Sequence, residues 1–240
     1  MTRSERKFSL RTIASNLLGA SAIVCFPLAL QADDNRSNLT RFFSSPTLFE
    51  KMCADGTGVG CTQLGYHYEI GDGVPQSDDL ALEYYKRACE LGHARGCNNL
   101  GVVFQDGKGT AQDEQQAFIA FERACELNYR SACSAVGSRY LFGAGVEVDF
   151  QKARELLDAE CAREDGRACS QLGKIYLEGL GVEPDILKGA QFTRQSCDLT
   201  EPVGCRNLGL IAEQIGVERE EWQKHMDTAC SMGDSFSCEY

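Results

Sequence analysis

Apolar positions along this chain recur at helical offsets, and the whole pattern returns 36 residues later. Leu64, Gly65 and Tyr68 are followed at that interval by Leu100, Gly101 and Phe104, by Val136, Gly137 and Tyr140, and by Leu172, Gly173 and Tyr176. Leu208 and Gly209 continue the series, with Ala212 in the aromatic column. Counted from the cysteine that opens each segment, these positions fall at offsets of three, four and seven, one face of an α-helix. Each segment therefore predicts a short amphipathic helix. Glycine inside a helix costs about 1 kcal/mol relative to alanine. Its return in five units predicts a neighbouring helix too close to admit a methyl group.

The first helix of each unit is expected to stop at "GDG", "GKG", "GAG" and "GLG", which begin at Gly71, Gly107, Gly143 and Gly179. Glycine supplies the backbone angles of a helix C-cap and tight turn. A second helix follows after a few polar residues. Its inner face carries Ala81, Leu82, Tyr85 and Ala88, then Ala117, Phe118, Phe121 and Ala124, then Ala153, Leu156 and Leu157. Gly189 and Thr193 weaken the fourth unit. The fifth lacks the double-glycine turn, is three residues shorter and carries Trp222 and Met226. These are the marks of an end cap. Acidic runs such as "DDLALE" and "EREEW" suit helix N-terminal turns.

Cysteine follows the same period. The pairs Cys53/Cys61, Cys89/Cys97, Cys125/Cys133, Cys161/Cys169, Cys197/Cys205 and Cys230/Cys238 each enclose seven residues. The first member ends a second helix and the other opens the next unit's first helix, so a bridge within each pair staples consecutive helices. Closing a nine-residue loop is worth about 2.5 kcal/mol in the chain-entropy model. That matters in an array of short helices whose stability is a sum of local terms. Metal is a poor alternative, since there is no C-x-x-C and the three histidines, His67, His93 and His225, have no ligand spacing. The missing C-x-x-C argues equally against a catalytic dithiol.

The thirteenth cysteine, Cys25, lies in an N-terminal segment of a different kind. A basic start (Arg3, Arg6, Lys7, Arg11), an apolar stretch near Leu17 to Leu30 and "LQA" before two aspartates read as a secretory signal, residues 1–32, cleaved after Ala32. A retained anchor is the alternative, against which stand the short apolar run and Pro27. Val24 before Cys25 argues against a lipoprotein, and Glu5 against a mitochondrial presequence. An even set of cysteines in an exported chain is the mark of a disulfide framework. Residues 33–46 are expected to form a linker and 47–240 the array, five repeats plus a C-terminal cap. Ser45-Pro46 followed by Leu48 and Phe49 suggests a short capping helix before the first unit. The signal removes four of 24 basic and one of 35 acidic residues, leaving a mature charge of −14. Such a chain repels phosphate backbones, which excludes nucleic acid as a partner.

The pattern C-x7-C-x2-L-G-x2-Y-x2-G-x-G, repeated at 36, resembles the SEL-1-like repeat family, relatives of tetratricopeptide repeats. The paired cysteines are similar to those of its disulfide-rich branch, the Helicobacter cysteine-rich proteins. The resemblance covers about residues 50–240. It implies an all-α fold, a right-handed solenoid of antiparallel helix pairs with a concave face lined by first helices. It also implies an interaction scaffold in the cell envelope or a secretory pathway, periplasmic or secreted. Such a protein is expected to be a monomer that binds a protein or peptide without a cofactor or metal and without a membrane span after signal cleavage. Part of the cysteine-rich branch is associated with β-lactam binding or β-lactamase-like hydrolysis, which keeps an enzyme acting on β-lactams or cell-wall peptides as the alternative.

In the tetratricopeptide fold, ligand-facing residues lie one, five and eight positions past the column of Cys61. Here those are Thr62, Tyr66 and Glu69; Asn98, Val102 and Gln105; Ser134, Ser138 and Leu141; Ser170, Lys174 and Leu177; and Arg206, Leu210 and Glu213. Tyr66, Asn98, Ser138, Lys174 and Arg206 are the candidate peptide-binding residues the resemblance implies. Lys174 and Arg206, basic residues on adjacent helices, would grip a carboxylate, and Asn98 a peptide backbone. They read equally as surface charges balanced by Glu178 and Glu213. No catalytic residue is assigned. The sole S-x-x-K is at Ser4, inside the signal, and G-x-S-x-G and H-E-x-x-H are missing. Ser170 and Lys174, one helical turn apart, are a conceivable nucleophile pair.

Overall fold

The structure, a computed structural model, describes residues 45–239. The expected signal and nearly all of the expected linker lie outside them. Among the described residues the chain is all-helical and every helix pairs with its neighbours in sequence. A short α1 (Pro46–Ala54) precedes the first unit. The first helices of the units are α2 (Gly58–Ile70), α4 (Ala94–Asp106), α6 (Arg130–Phe142), α8 (Gly166–Glu178) and α10 (Pro202–Gln214). Between them run the second helices, α3 (Asp78–Glu90), α5 (Glu114–Glu126), α7 (Phe150–Cys161), α9 (Ile186–Asp198) and α11 (Arg219–Ser231). A one-turn α12 (Ser235–Glu239) follows. The architecture is an α-solenoid of antiparallel helix pairs.

The glycine column sits where the second helix crosses the first. A Cβ on Gly101 would stand 2.8 Å from the Phe121 ring, and one on Gly65 2.8 Å from that of Tyr85. Leu157, Thr193 and Met226 occupy the same place over Gly137, Gly173 and Gly209. Tyr85, Leu157, Thr193 and Met226 are all essentially inaccessible. Thr193 fills its place least well. Its hydroxyl turns back to the Gly189 carbonyl at 2.8 Å, the softness foreseen for the fourth unit. The largest continuous core runs from Cys97 to Ile175, across the second, third and fourth units.

Two further periodic devices set where each second helix begins. Gly71, Gly107, Gly143 and Gly179 cap the first helices in left-handed conformation, with φ of 73°, 69°, 73° and 71°. After the turn, the side chains of Ser77, Asp113, Asp149 and Asp185 accept the backbone N–H of Leu80, Gln116, Lys152 and Lys188, closing α3, α5, α7 and α9. Each such N-cap is worth about 1 kcal/mol. The cap residue's own amide donates to the carbonyl of the aromatic column: Ser77 to Tyr68, Asp113 to Phe104, Asp149 to Tyr140 and Asp185 to Tyr176, at 2.8–2.9 Å. α11 has neither device; Glu218 makes no side-chain cap, and α10 runs into Ile215 without a left-handed cap.

All six cysteine pairs are bridged between consecutive helices: Cys53–Cys61, Cys89–Cys97, Cys125–Cys133, Cys161–Cys169, Cys197–Cys205 and Cys230–Cys238. Sulfurs of the first bridge are buried, whereas Cys238 of the last is exposed.

Candidate functional site

First helices place their offset-one, offset-five and offset-eight residues along a common face, but the three columns behave differently. The offset-one column is turned toward the next unit. Thr62 is buried, donates to the Gly58 carbonyl at 3.0 Å, and lies 2.6 Å from His93 Nδ1. Ser134, also buried, donates to Asp165 at 2.6 Å. Arg206 donates to Asp234 at 2.8 Å. In each case the partner is the residue that opens the next first helix. The offset-one residues named as ligand-facing are thus inter-unit clasps at three of five units. Arg206, expected to be balanced by Glu213, pairs with Asp234 instead, because α12 brings that carboxylate to the guanidinium.

These clasps carry their own electrostatics. Burial lowers the His93 pKa, with Arg95 adding to the effect. Burial alone would raise the Asp234 pKa. The hydroxyl and amide of Ser237 and the Arg206 guanidinium more than offset this, holding the carboxyl below its ordinary range.

Offset-five residues reach the open face. Tyr66 on α2 is exposed. Ser138 on α6 is half-buried and donates to the Ser134 carbonyl one turn earlier. Lys174 on α8 lies 3.9 Å from Glu178 and 4.9 Å from the centre of the Phe142 ring. Asn98, on α4 in the offset-one column, is half-buried, and its side chain makes no hydrogen bond among the described residues.

Two adjoining hollows run across α6, α8 and α10. One, of about 680 Å³, is lined by Ser134, Ser138, Ser170, Asp165, Arg167 and Glu201 among others. Its neighbour, of about 430 Å³, is lined by Phe142, Lys174, Leu177, Arg206, Asn207 and Leu210 among others. Ser170, Gln171 and Val203 border both. The structure therefore brings Ser138, Lys174 and Arg206 to one groove, and neither hollow is lined by Tyr66 or Asn98. Sequence reasoning missed Phe142, Asp165 and Glu201. Asp165 and Glu201 precede first helices, where the stripe read along helix offsets does not reach. Ser170 and Lys174 make no bond to one another, so the conceivable nucleophile pair has no general base in place.

Repeated helix pairs, a continuous face of first helices and bridges between successive units define an α-solenoid scaffold. The Sel1 repeat model matches residues 58–93, 94–129, 130–159 and 166–200, more than half of the chain. The chain belongs to the Sel1 repeat family. No curated protein sequence matches it significantly. Among solved structures it is similar to a Sel1 repeat protein from Oxalobacter formigenes, at 24% identity and a TM-score of 0.72, covering 85% of this chain and 86% of that one. It is also similar to c5321, a protective antigen of uropathogenic Escherichia coli strains displaying the same kind of fold. There the identity is 23% and the TM-score 0.72, over 80% of this chain and 42% of that one. Helicobacter pylori cysteine-rich protein B matches at 22% identity and a TM-score of 0.41, over 60% of this chain and 98% of its own.

Proposed function

We propose that this protein is an exported, non-enzymatic scaffold that holds a protein or peptide in the groove across α6, α8 and α10. The observation that carries the reading is the adjoining pair of hollows, where Ser138, Lys174 and Arg206 meet on successive first helices. Sel1 repeat proteins commonly bind proteins, which supports the same reading. A face built from several units offers an extended chain one contact set per repeat.

Export rests on two features that agree. The N-terminal segment has the composition of a secretory signal, and the six bridges suit an oxidising compartment such as the periplasm. Among the described residues no helix is long and apolar enough to cross a membrane. N-terminal sequencing of the mature protein is expected to begin at Asp33, and sedimentation to give a monomer. The groove is tested by placing a photo-reactive side chain at Gln171, and a control at Glu126 on α5. Partner captured from the envelope fraction at position 171, and lost on Lys174→Glu or Leu210→Arg, meets the expectation. Equal capture at both positions overturns it.

A further inference from the structure

Each G-x-G turn seats its second glycine on the first residue of an earlier helix. Gly73 lies against Pro46 of α1, Gly109 against Asp78 of α3, Gly145 against Glu114 of α5 and Gly181 against Phe150 of α7. A Cβ on Gly109 would stand 2.6 Å from the Asp78 carbonyl, and Gly145 and Gly181 sit closer still. No side chain fits at that contact. The next seat in the series is Ile186, which opens α9. In the fifth unit, however, the two glycine columns hold Ile215 and Val217. Its connection is four residues, Ile215 to Glu218, where the fourth unit has seven, Gly179 to Asp185. Valine cannot take the seat, and a Cβ on the intervening Gly216 would meet nothing within 4 Å. The start of α9 is left uncovered.

What lies bare there is apolar. Ile186 is 57% exposed and Leu187 79%, with Ile215 at 63% in the loop that stops short of them. Elsewhere the column of Leu187 is polar, at Asp79, Gln115 and Gln151, so leucine answers no demand of the repeat. The rim is acidic, with Glu183, Asp185, Glu218 and Glu220 all exposed. Its cations are turned onto the protein's own rings: Lys188 donates to the Tyr176 hydroxyl at 2.7 Å, and the Arg219 guanidinium lies 5.9 Å from the centre of the Trp222 ring. Glu218 and Glu220, with Arg219 and Gln223, line a hollow of about 720 Å³. We propose that the start of α9 is a second docking surface, separate from the groove, for a tight glycine turn of a partner protein that carries an aliphatic residue and flanking lysines. Glycine answers the close approach that the four earlier turns make. The aliphatic side chain covers Ile186 and Leu187, and the lysines meet the carboxylates. A second copy of this chain is a poor occupant, because it brings the same acidic rim and its own G-x-G turns are already seated.

The test is titration of the oxidised protein with a backbone-cyclised peptide containing Lys-Gly-Ala-Gly-Val-Lys, followed by amide chemical shifts. Shifts are expected over residues 183–190 and 213–220. Leu187→Gln, which restores the polar type of its column, is expected to weaken binding about tenfold with an unchanged melting temperature. Alanine in place of the peptide's second glycine should weaken it by about as much, and glutamates in place of its lysines should abolish it. The proposal is overturned if Leu187→Gln binds within twofold of wild type, or if no amide in those segments moves at millimolar peptide. Sedimentation showing a dimer that Leu187→Gln dissolves would assign the surface to a second copy and overturn the partner. The groove is tested apart from this surface: Lys174→Glu should leave the titration unchanged, and a titration lost on Lys174→Glu would place the peptide in the groove and overturn the proposal.

Discussion

The middle units and the C-terminal end of this solenoid are made from the same repeat and finished differently. From α4 to α8 the glycine turn, the acidic N-cap and the cap-to-aromatic backbone bond all recur, and the core is continuous. From α10 onward they lapse. α11 has no side-chain cap, Ile215 is exposed, and α12 is a single turn held by Cys230–Cys238 and the Arg206–Asp234 pair. The contrast teaches that the hydrophobic stripe and the disulfide are sufficient to add a unit, while the caps and turns set where its second helix begins.

The largest break in this contrast is expected in the core. Phe121→Ala should cost about 3–5 kcal/mol in denaturant unfolding, because Phe121 fills the place over Gly101 in the continuous core. Thr193→Ala, at the same place in the fourth unit, should cost far less, since threonine fills it poorly already. Comparable losses would show that the fourth unit is as tightly packed as the second.

Next come the staples. Replacing Cys125 and Cys133 with alanine should cost about 2.5 kcal/mol and lower the melting temperature of the whole array. The same change at Cys230 and Cys238 should release α12 and leave the rest intact. Under mild reductant, alkylation and peptide mass spectrometry should find Cys230–Cys238 opened first, because Cys238 is exposed while both sulfurs of Cys53–Cys61 are buried. Simultaneous opening of all six bridges would erase the distinction.

Caps come third. Asp149→Ala should cost about 1 kcal/mol, and Glu218→Ala almost nothing. Glu218→Asp should gain a few tenths by supplying the missing acceptor.

The smallest effect is titration. Burial depresses the folded-state pKa of His93 and of His225 below the ordinary 6.5. The unfolded chain then binds more protons near that pH, so stability falls as pH drops below about 6.5. The Asp234 pKa is also depressed, and its contribution is present above the ordinary carboxylate value of 3.8 and lost only at lower pH. Melting temperature between pH 7.5 and 5 should therefore decline in wild type, and less so in a His225→Gln variant. A flat profile would contradict the assignment.

Glycine and cysteine columns made the fold legible because each residue type answers one physical demand, close approach or covalent closure. The capping column was equally periodic, at Ser77, Asp113, Asp149 and Asp185, but was passed over as polar filler between helices. The clasps were not legible. Thr62 finds His93 and Ser134 finds Asp165 31 positions away, whereas Arg206 finds Asp234 at 28. No column of identical residues marks these pairs, because a hydroxyl with an imidazole, a hydroxyl with a carboxylate and a guanidinium with a carboxylate all serve. The groove suffered likewise: Lys174 stood out by charge, whereas Asp165 and Glu201 border it from the turns before the first helices, off the stripe read along helix offsets.

Every staple among the described residues closes its own nine-residue loop, and none straddles a G-x-G turn between a unit's first and second helices. A single proteolytic nick at Gly107 or Gly143 therefore divides the chain into two covalently separate pieces, despite six cross-links. Their reunion then depends wholly on non-covalent contacts: packed side chains and the backbone bonds from each cap residue to the aromatic column. The molecule is fastened like a row of hinged links, each pin securing one joint and no cable running through the length.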